Sequence, residues 1–105
     1  MLLLTKQHLK MDLQKIINQE STTIVDVREP FETYFGKAKG AVNIPLRKIA
    51  KSVEAFRQMS KPIVVYCKSG NRSGQALDYL KAQGIKDIYN GGGLREVKAL
   101  VKNNS

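Results

Sequence analysis

The sequence is short of cysteine, histidine and tryptophan, and it has no long hydrophobic run. Its 105 residues include one cysteine, one histidine and no tryptophan. A single cysteine excludes an internal disulfide and a cysteine-rich metal site, so Cys67 is either a small buried residue or a reactive thiol. The longest apolar runs, Met1 to Leu4 and Ile63 to Cys67, are too short for a membrane span or a signal-peptide core. We therefore expect no membrane association and a cytoplasmic location.

The length and composition fit one compact domain. The chain is 42% hydrophobic and 26% charged, values that are ordinary for a globular protein and exclude intrinsic disorder, collagen and coiled coil. A domain of this size buries a sizeable core without metals or disulfides. We expect a single domain over residues 1–105, with its core at residues 9–102.

Acidic residues are scarce. Nine Asp and Glu stand against 18 Lys and Arg, and between Phe35 and Lys61 there are seven basic residues with Glu54 as the only acidic one. A positive surface attracts small anions, acidic proteins or nucleic acid. The alternative interpretation is that these charges only keep the surface solvated and have no binding partner. No base-stacking aromatics, RNA-binding motif or zinc-finger motif accompany the lysines, so nucleic acid is not an expected partner.

Strand-like and helix-like segments alternate along the chain. Residues 22–27, 40–45, 63–66 and 85–89 favour β-strands, and apolar residues at helical spacing predict helices around them. One of these helices covers residues 49–59, another has Gly84 as its C-terminal cap, and Gly91 to Gly93 reads as a flexible turn. The alternation predicts an α/β fold, a three-layer sandwich in which helices flank a small, mostly parallel sheet. Ligands of such folds bind beyond the carboxyl ends of the strands, where Cys67 lies.

The residues after Cys67 favour a reactive thiol. A thiolate needs positive potential, which Lys68, Arg72 and the N-terminus of a helix starting near Arg72 would supply. Gly70 allows the loop to turn successive N–H groups inward and form an anion-binding nest. We therefore expect the pKa of Cys67 to lie below the free-cysteine value of about 8.5.

The loop length separates two chemistries that use such a nest. Tyrosine phosphatases need five residues between the cysteine and the arginine, whereas four separate Cys67 from Arg72. The shorter loop suits a terminal sulfur carried by the cysteine better than a phosphate held above it. A phosphatase or arsenate reductase also needs a general acid. Asp26 is the only aspartate at a strand end that suits a general acid. The alternative is that Asp26 has a structural role.

Four segments, in order, resemble motifs of the single-domain rhodanese family, which is thiosulfate sulfurtransferase-like. They are IVDVREPFE at 24–32, GAVNIP at 40–45, IVVYCKSGNRS at 63–73 and GGGL at 91–94. The resemblance covers nearly the whole chain and implies a rhodanese-like fold. The sequence departs from the family pattern at Lys37, where a histidine is usual, and in lacking the tryptophan that often follows the glycine motif.

The resemblance implies a ping-pong sulfur transfer. Cys67 would take a sulfane sulfur from thiosulfate or a related anionic donor, carry it as a persulfide, and pass it to cyanide or a thiol. No metal or organic cofactor is required. Lys68 and Arg72 would hold the donor, and the whole loop would bind the transferred sulfur through backbone N–H groups. The substrate-binding residues are then Lys68, Ser69, Gly70, Asn71, Arg72 and Ser73.

The resemblance also implies a supporting scaffold and leaves a second function open. Asp26, Arg28 and Glu32 would be structural, with an ion pair expected between Arg28 and Glu32. The alternative to an enzyme is a persulfide carrier or regulatory binding module that docks to a sulfur-relay partner through the basic face. The third and less favoured hypothesis is a cysteine phosphatase or arsenate reductase.

Overall fold

The computed structural model describes the chain from residue 6 to residue 101, and its side chains from residue 12. The ends of the predicted domain, residues 1–5 and 102–105, lie outside the described residues. The helices are α1 (Lys6–Ile17), α2 (Pro30–Thr33), a 3₁₀ helix (Leu46–Lys51), α3 (Val53–Gln58), α4 (Asn71–Ala82) and α5 (Leu94–Leu100). The strands are β1 (Thr23–Asp26), β2 (Val42–Asn43), β3 (Ile63–Cys67) and β4 (Ile88–Gly93).

The four strands form one sheet in the order β2-β1-β3-β4, and every pair is parallel. Strand β3 lies in the interior of the sheet and is buried at all five positions, as its apolar run predicts. Its side chains alternate between two hydrophobic clusters, with Val65 in one and Val64 in the other. The α/β sandwich predicted from the alternating pattern is confirmed.

The two clusters lie on opposite faces of the sheet. One joins β3 to the 3₁₀ helix, α3 and α4 through Ile49, Phe56 and Leu80. The other joins it to α1 and α5 through Ile17 and Val97. Because both faces are covered, chemistry at the sheet is confined to the ends of the strands. Within residues 6–101, no helix has the length and apolar character that a membrane span needs.

The structure differs from the sequence prediction in four segments. The strands predicted over residues 40–45 and 85–89 are observed at Val42–Asn43 and Ile88–Gly93. The helix predicted over residues 49–59 is divided into the 3₁₀ helix and α3, which meet at Ser52. The glycines predicted as a flexible turn instead continue β4, since Gly92 and Gly93 pair with Tyr66 and Cys67. A Cβ at Gly91 would lie 2.8 Å from Val64 Cγ1, so this part of the strand packs at a distance that only glycine allows.

Candidate active site

Cys67 is the last residue of β3, and three residues separate it from α4. Gly70, the residue before α4, has a φ of +97°, a left-handed conformation that favours glycine. This turn brings the Gly70 N–H to 3.1 Å from Cys67 Sγ, and the Ser73 N–H in the first turn of α4 donates to the same sulfur at 3.4 Å. Two backbone N–H groups of the predicted nest, those of Gly70 and Ser73, therefore face the sulfur.

The thiol of Cys67 is buried, with the residue 1% exposed, and it lies beneath the loop. Burial raises the pKa of this thiol. The hydrogen bond with the Ser73 hydroxyl and those from the backbone of Ser73, Ser69 and Gly70 lower the pKa by more, and the net pKa is below its ordinary value. The lowered pKa of Cys67 agrees with the sequence prediction. The main cause of the lowering is hydrogen bonding from the loop and the start of α4, rather than the charges of Lys68 and Arg72.

A small polar network holds the Ser73 hydroxyl against the sulfur. Ser73 Oγ lies 3.4 Å from Cys67 Sγ and donates to Asn90 Oδ1 at 2.7 Å. A hydroxyl carries one proton, so while it donates to Asn90 it can only accept from the neutral thiol. When the thiolate forms, the hydroxyl can turn and donate to sulfur. Ser73 therefore offers a hydrogen bond to either protonation state of Cys67.

Replacing Ser73 with alanine is expected to raise the pKa of Cys67. The Ser73 hydroxyl is the largest of the contributions that lower this pKa, and its loss leaves burial less strongly opposed. The pH dependence of alkylation by iodoacetamide measures the pKa, because only the thiolate reacts. The half-maximal rate should move to higher pH in Ser73→Ala, with the change concentrated at neutral and lower pH. An unchanged pH profile would assign the hydroxyl to packing alone.

Asn90 was not singled out in the sequence, yet its side chain joins three parts of the site. Its Oδ1 accepts from Ser73 Oγ and from the Gly92 N–H at 2.9 Å, and its Nδ2 donates to the Gly70 carbonyl at 3.1 Å. The available signal was a polar residue between an apolar strand and a glycine run. Because the sequence predicts a turn at Gly91 to Gly93, it places no part of the site next to Asn90.

The glycines of β4 form one wall of the site. A Cβ at Gly93 would lie 2.3 Å from the Lys68 carbonyl oxygen, and a Cβ at Gly70 would lie 3.3 Å from Gly92 Cα. Two stretches of backbone therefore approach each other directly beside Cys67. The glycines serve this close approach rather than chain flexibility.

Arg72 in α4 points to Glu32 in α2. Its two terminal nitrogens donate to the two carboxylate oxygens at 2.7 and 2.9 Å, a paired geometry typical of strong ion pairs. The hydrogen bond from Arg72 is the largest cause that lowers the pKa of Glu32, which falls to about 2. Cys67 is a smaller contributor, after Glu32, to the raised pKa of Arg72. Glu32 thus fixes the arginine of the loop.

The ion pair expected between Arg28 and Glu32 is wrong. Arg28 pairs with the buried carboxylate of Asp26 at 2.7 Å, and it reaches Glu32 only at the backbone carbonyl, 3.3 Å away. Arg28 also donates to the Gly36 carbonyl at 2.7 Å. Asp26 and Arg28 together fasten the segment that carries Glu32. The structural role of these three residues stays a prediction.

The remaining loop side chains, those of Lys68, Ser69 and Asn71, are exposed around the site. Lys68 and Ser69 lie on the loop and Asn71 is the first residue of α4. Among the residues whose side chains are described, no cluster of His, Cys, Asp and Glu side chains is suited to hold a metal ion. The arrangement provides a thiol of lowered pKa, two backbone N–H donors to its sulfur and a nearby arginine, which together suit nucleophilic attack on an anionic substrate.

The comparisons with known proteins agree with this geometry. The family model of the rhodanese-like domain matches residues 10–100. The thiosulfate sulfurtransferase PspE of Escherichia coli is 34% identical over 74 residues, which are 70% of this chain and 71% of PspE. The putative sulfur carrier protein YrkF of Bacillus subtilis is 36% identical over 77 residues, 73% of this chain and 41% of YrkF.

Solved structures show the same fold. A rhodanese with anions from E. coli superposes with a TM-score of 0.63 at 32% identity, covering 71% of this chain and 89% of that one. The family match at residues 10–100 spans all four strands. The chain belongs to the rhodanese-like domain family.

Proposed function

We propose that the protein is a sulfurtransferase of the thiosulfate type that works through a persulfide on Cys67. The observation that carries the proposal is the sulfur of Cys67, held by the N–H groups of Gly70 and Ser73 with its pKa lowered. The similarity to PspE, a thiosulfate sulfurtransferase, supports the choice of donor. A thiolate in this setting can attack sulfur, and the surrounding N–H donors can stabilise the charge that the product carries.

In the first half of the reaction the Cys67 thiolate attacks the outer sulfur of thiosulfate. A new S–S bond forms, the S–S bond of thiosulfate breaks, and its electron pair leaves with sulfite. The outer sulfur of the resulting persulfide carries the negative charge, which the loop N–H groups stabilise. In the second half, cyanide or a thiolate attacks that outer sulfur, the persulfide bond breaks, and its electron pair restores the Cys67 thiolate.

Burial of Cys67 sets the route to the sulfur. The thiol is covered, and the exposed residues nearest to it in sequence are Lys68 and Ser69. We infer that the donor enters on the side of this loop, where Arg72 is also partly exposed. Two of the five N–H groups of Arg72 are used by Glu32, which leaves donors for an anion.

The geometry does not favour the phosphatase alternative. Asp26, the candidate general acid, is fully buried and both of its carboxylate oxygens accept hydrogen bonds from Arg28. A general acid must reach the leaving group of the substrate, which this buried and paired carboxylate cannot do. The short loop between Cys67 and Arg72 points the same way.

A persulfide carrier is the second candidate, and the similarity to the putative sulfur carrier YrkF favours it. Turnover of thiosulfate and cyanide, measured at low and high salt, distinguishes the two functions. Sustained turnover supports the enzyme. Loading of Cys67 without sustained turnover, together with fast transfer to a protein thiol, supports the carrier. A protein that is never loaded by any sulfane donor contradicts both.

Replacing Arg72 with alanine is expected to lower kcat/KM for thiosulfate about 30-fold, the scale of a lost charged hydrogen bond to an anion. The free energy of unfolding should change by less than about 1 kcal/mol, because the pair with Glu32 is partly exposed. Steady-state kinetics and urea unfolding measure the two effects. A loss of stability with unchanged kinetics would place Arg72 in the scaffold.

Glu32→Gln is the matched control for Arg72, because it keeps the shape of the partner and removes its charge. We expect a smaller loss of kcat/KM, about fivefold, from poorer positioning of the guanidinium. Glu32 has a pKa of about 2, so the ion pair is fully present above the ordinary carboxyl range and is lost only as the pH falls towards 2. Between pH 5 and 9, the pH profile of kcat/KM should therefore have the same shape in the unmodified protein and in Glu32→Gln. That shape is set by the ionisation of Cys67.

A further inference from the structure

Three large aromatic side chains are exposed next to the active site. Phe31, Tyr34 and Phe35 are 73%, 83% and 91% exposed, and we call them the aromatic patch. Tyr34, the C-cap of α2, and Phe35 follow Phe31 by three and four residues, a spacing that brings both to the side of the turn on which Phe31 lies. The rings of Tyr34 and Phe35 meet edge to face, with centroids 5.2 Å apart. Contiguous exposed apolar surface of this kind marks an interaction site.

The segment that carries the aromatic patch is fixed to the active site. Glu32, in the same segment, binds Arg72 through both carboxylate oxygens. Arg28 donates to the carbonyls of Glu32 and Gly36, and Glu29 pairs with Arg47 at 3.0 Å. The patch is therefore held at a defined place beside the loop of Cys67, and its exposure does not result from a loosely attached segment.

The charge around the aromatic patch is positive. Lys37 and Lys39 follow it directly and are exposed, and Arg47 lies at its other end. The two carboxylates of the segment, Glu29 and Glu32, are already paired with arginines. A partner that covers this surface is complementary if it is acidic and also offers apolar contacts. A second copy of this chain is a poor match, since each copy carries a net charge of +9.

We propose that the aromatic patch docks an acidic protein whose cysteine exchanges sulfur with Cys67. The inference rests on the proposed sulfurtransferase function and names the class of acceptor. The docked acceptor thiolate attacks the outer sulfur of the Cys67 persulfide, the persulfide bond breaks, its electron pair returns to Cys67, and the acceptor leaves as a persulfide. Cyanide, which is small, needs no contact with Phe31, Tyr34 or Phe35.

Two synthetic peptides test the proposal. Both contain one cysteine and two leucines, and the acidic peptide has four glutamates where the neutral peptide has glutamines. With protein loaded by thiosulfate, we expect kcat/KM for the acidic peptide to be about tenfold higher than for the neutral peptide at low salt. The advantage should shrink at high salt and in Lys37→Gln/Lys39→Gln. Equal rates for the two peptides would overturn the proposal.

The variant Phe31→Ser/Tyr34→Ser/Phe35→Ser tests the apolar part of the surface. We expect transfer to the acidic peptide to fall about tenfold, the scale of removed aromatic contacts at an interface, while turnover with cyanide is unchanged. Tyr79→Ser/Tyr89→Ser is the matched control, because these tyrosines are exposed on α4 and β4. If the control lowers peptide transfer as much as the patch variant, or if cyanide turnover falls in step, the patch is not a docking site.

Binding separates this proposal from the proposed function. Fluorescence anisotropy of the labelled acidic peptide with Cys67→Ser measures docking without any sulfur chemistry, and the patch variant should weaken binding about tenfold. A protein that binds the peptide through the patch but never loads sulfur would contradict the proposed function and the sulfur exchange, and would leave the docking surface in place. Dimerisation that the patch variant abolishes, or binding of the patch to phosphatidylcholine–phosphatidylserine vesicles in place of the peptide, would overturn the protein partner.

Discussion

Replacing Cys67 with serine is expected to lower thiosulfate turnover by at least about a thousandfold, as the loss of a nucleophile does in other covalent enzymes. The hydroxyl of serine is not ionised at neutral pH and cannot carry a transferable sulfur. The chain has no other cysteine that could take over the role. Steady-state kinetics with thiosulfate and cyanide measure the loss.

The fold of Cys67→Ser is expected to remain intact, which separates lost chemistry from lost structure. Serine oxygen can accept from the N–H groups of Gly70 and Ser73 as sulfur does. The cost of the polar replacement in a buried position is about 1–2 kcal/mol. Circular dichroism and urea unfolding check this. Turnover that survives in the folded variant would contradict a covalent mechanism at Cys67.

Replacing Gly93 with alanine is expected to lower the free energy of unfolding by about 3 kcal/mol. This is the upper end of the usual cost of overpacking, because the backbone around Gly93 has little room to move. The added Cβ would lie 2.3 Å from the Lys68 carbonyl oxygen, and backbone rather than a mobile side chain must move. Because Lys68 follows Cys67 directly, the displacement also disturbs the N–H groups around the sulfur. Sulfur loading by thiosulfate should fall together with stability in urea unfolding.

Gly74→Ala is the matched control for Gly93→Ala. Gly74 lies inside α4, and a Cβ there would be 3.5 Å from Asn90 Nδ2, an ordinary contact. Alanine in a helix interior changes stability by less than about 1 kcal/mol, in the stabilising direction. If Gly93→Ala were as stable as Gly74→Ala, the close approach of β4 to the active-site loop would not exist as described.

The sandwich and the position of Cys67 could be predicted because each rests on local pattern. The run Ile63 to Cys67 is apolar at every position, which only a strand covered on both faces explains, and Gly84 with its φ of +89° ends the predicted helix. The carboxyl end of a parallel strand is where ligands bind, so the last residue of β3 was the natural candidate.

The contacts that organise the site could not be read from the sequence. Glu32 meets Arg72 across 40 residues of chain, whereas proximity in sequence predicts a pair between Glu32 and Arg28. Gly93 has the local character of a turn, and only its pairing with Cys67 makes it part of a strand. Asn90 becomes a member of the site through the same pairing. Each of these contacts depends on tertiary packing, which propensity does not encode.

Intact-protein mass spectrometry after incubation with thiosulfate tests the central claim most directly. The proposed mechanism predicts a gain of one sulfur atom, located at Cys67 by peptide mapping and removed by cyanide, and no gain in Cys67→Ser. An unchanged mass after incubation with thiosulfate and related sulfane donors would contradict the persulfide mechanism. So would a bound sulfur that persists in the serine variant.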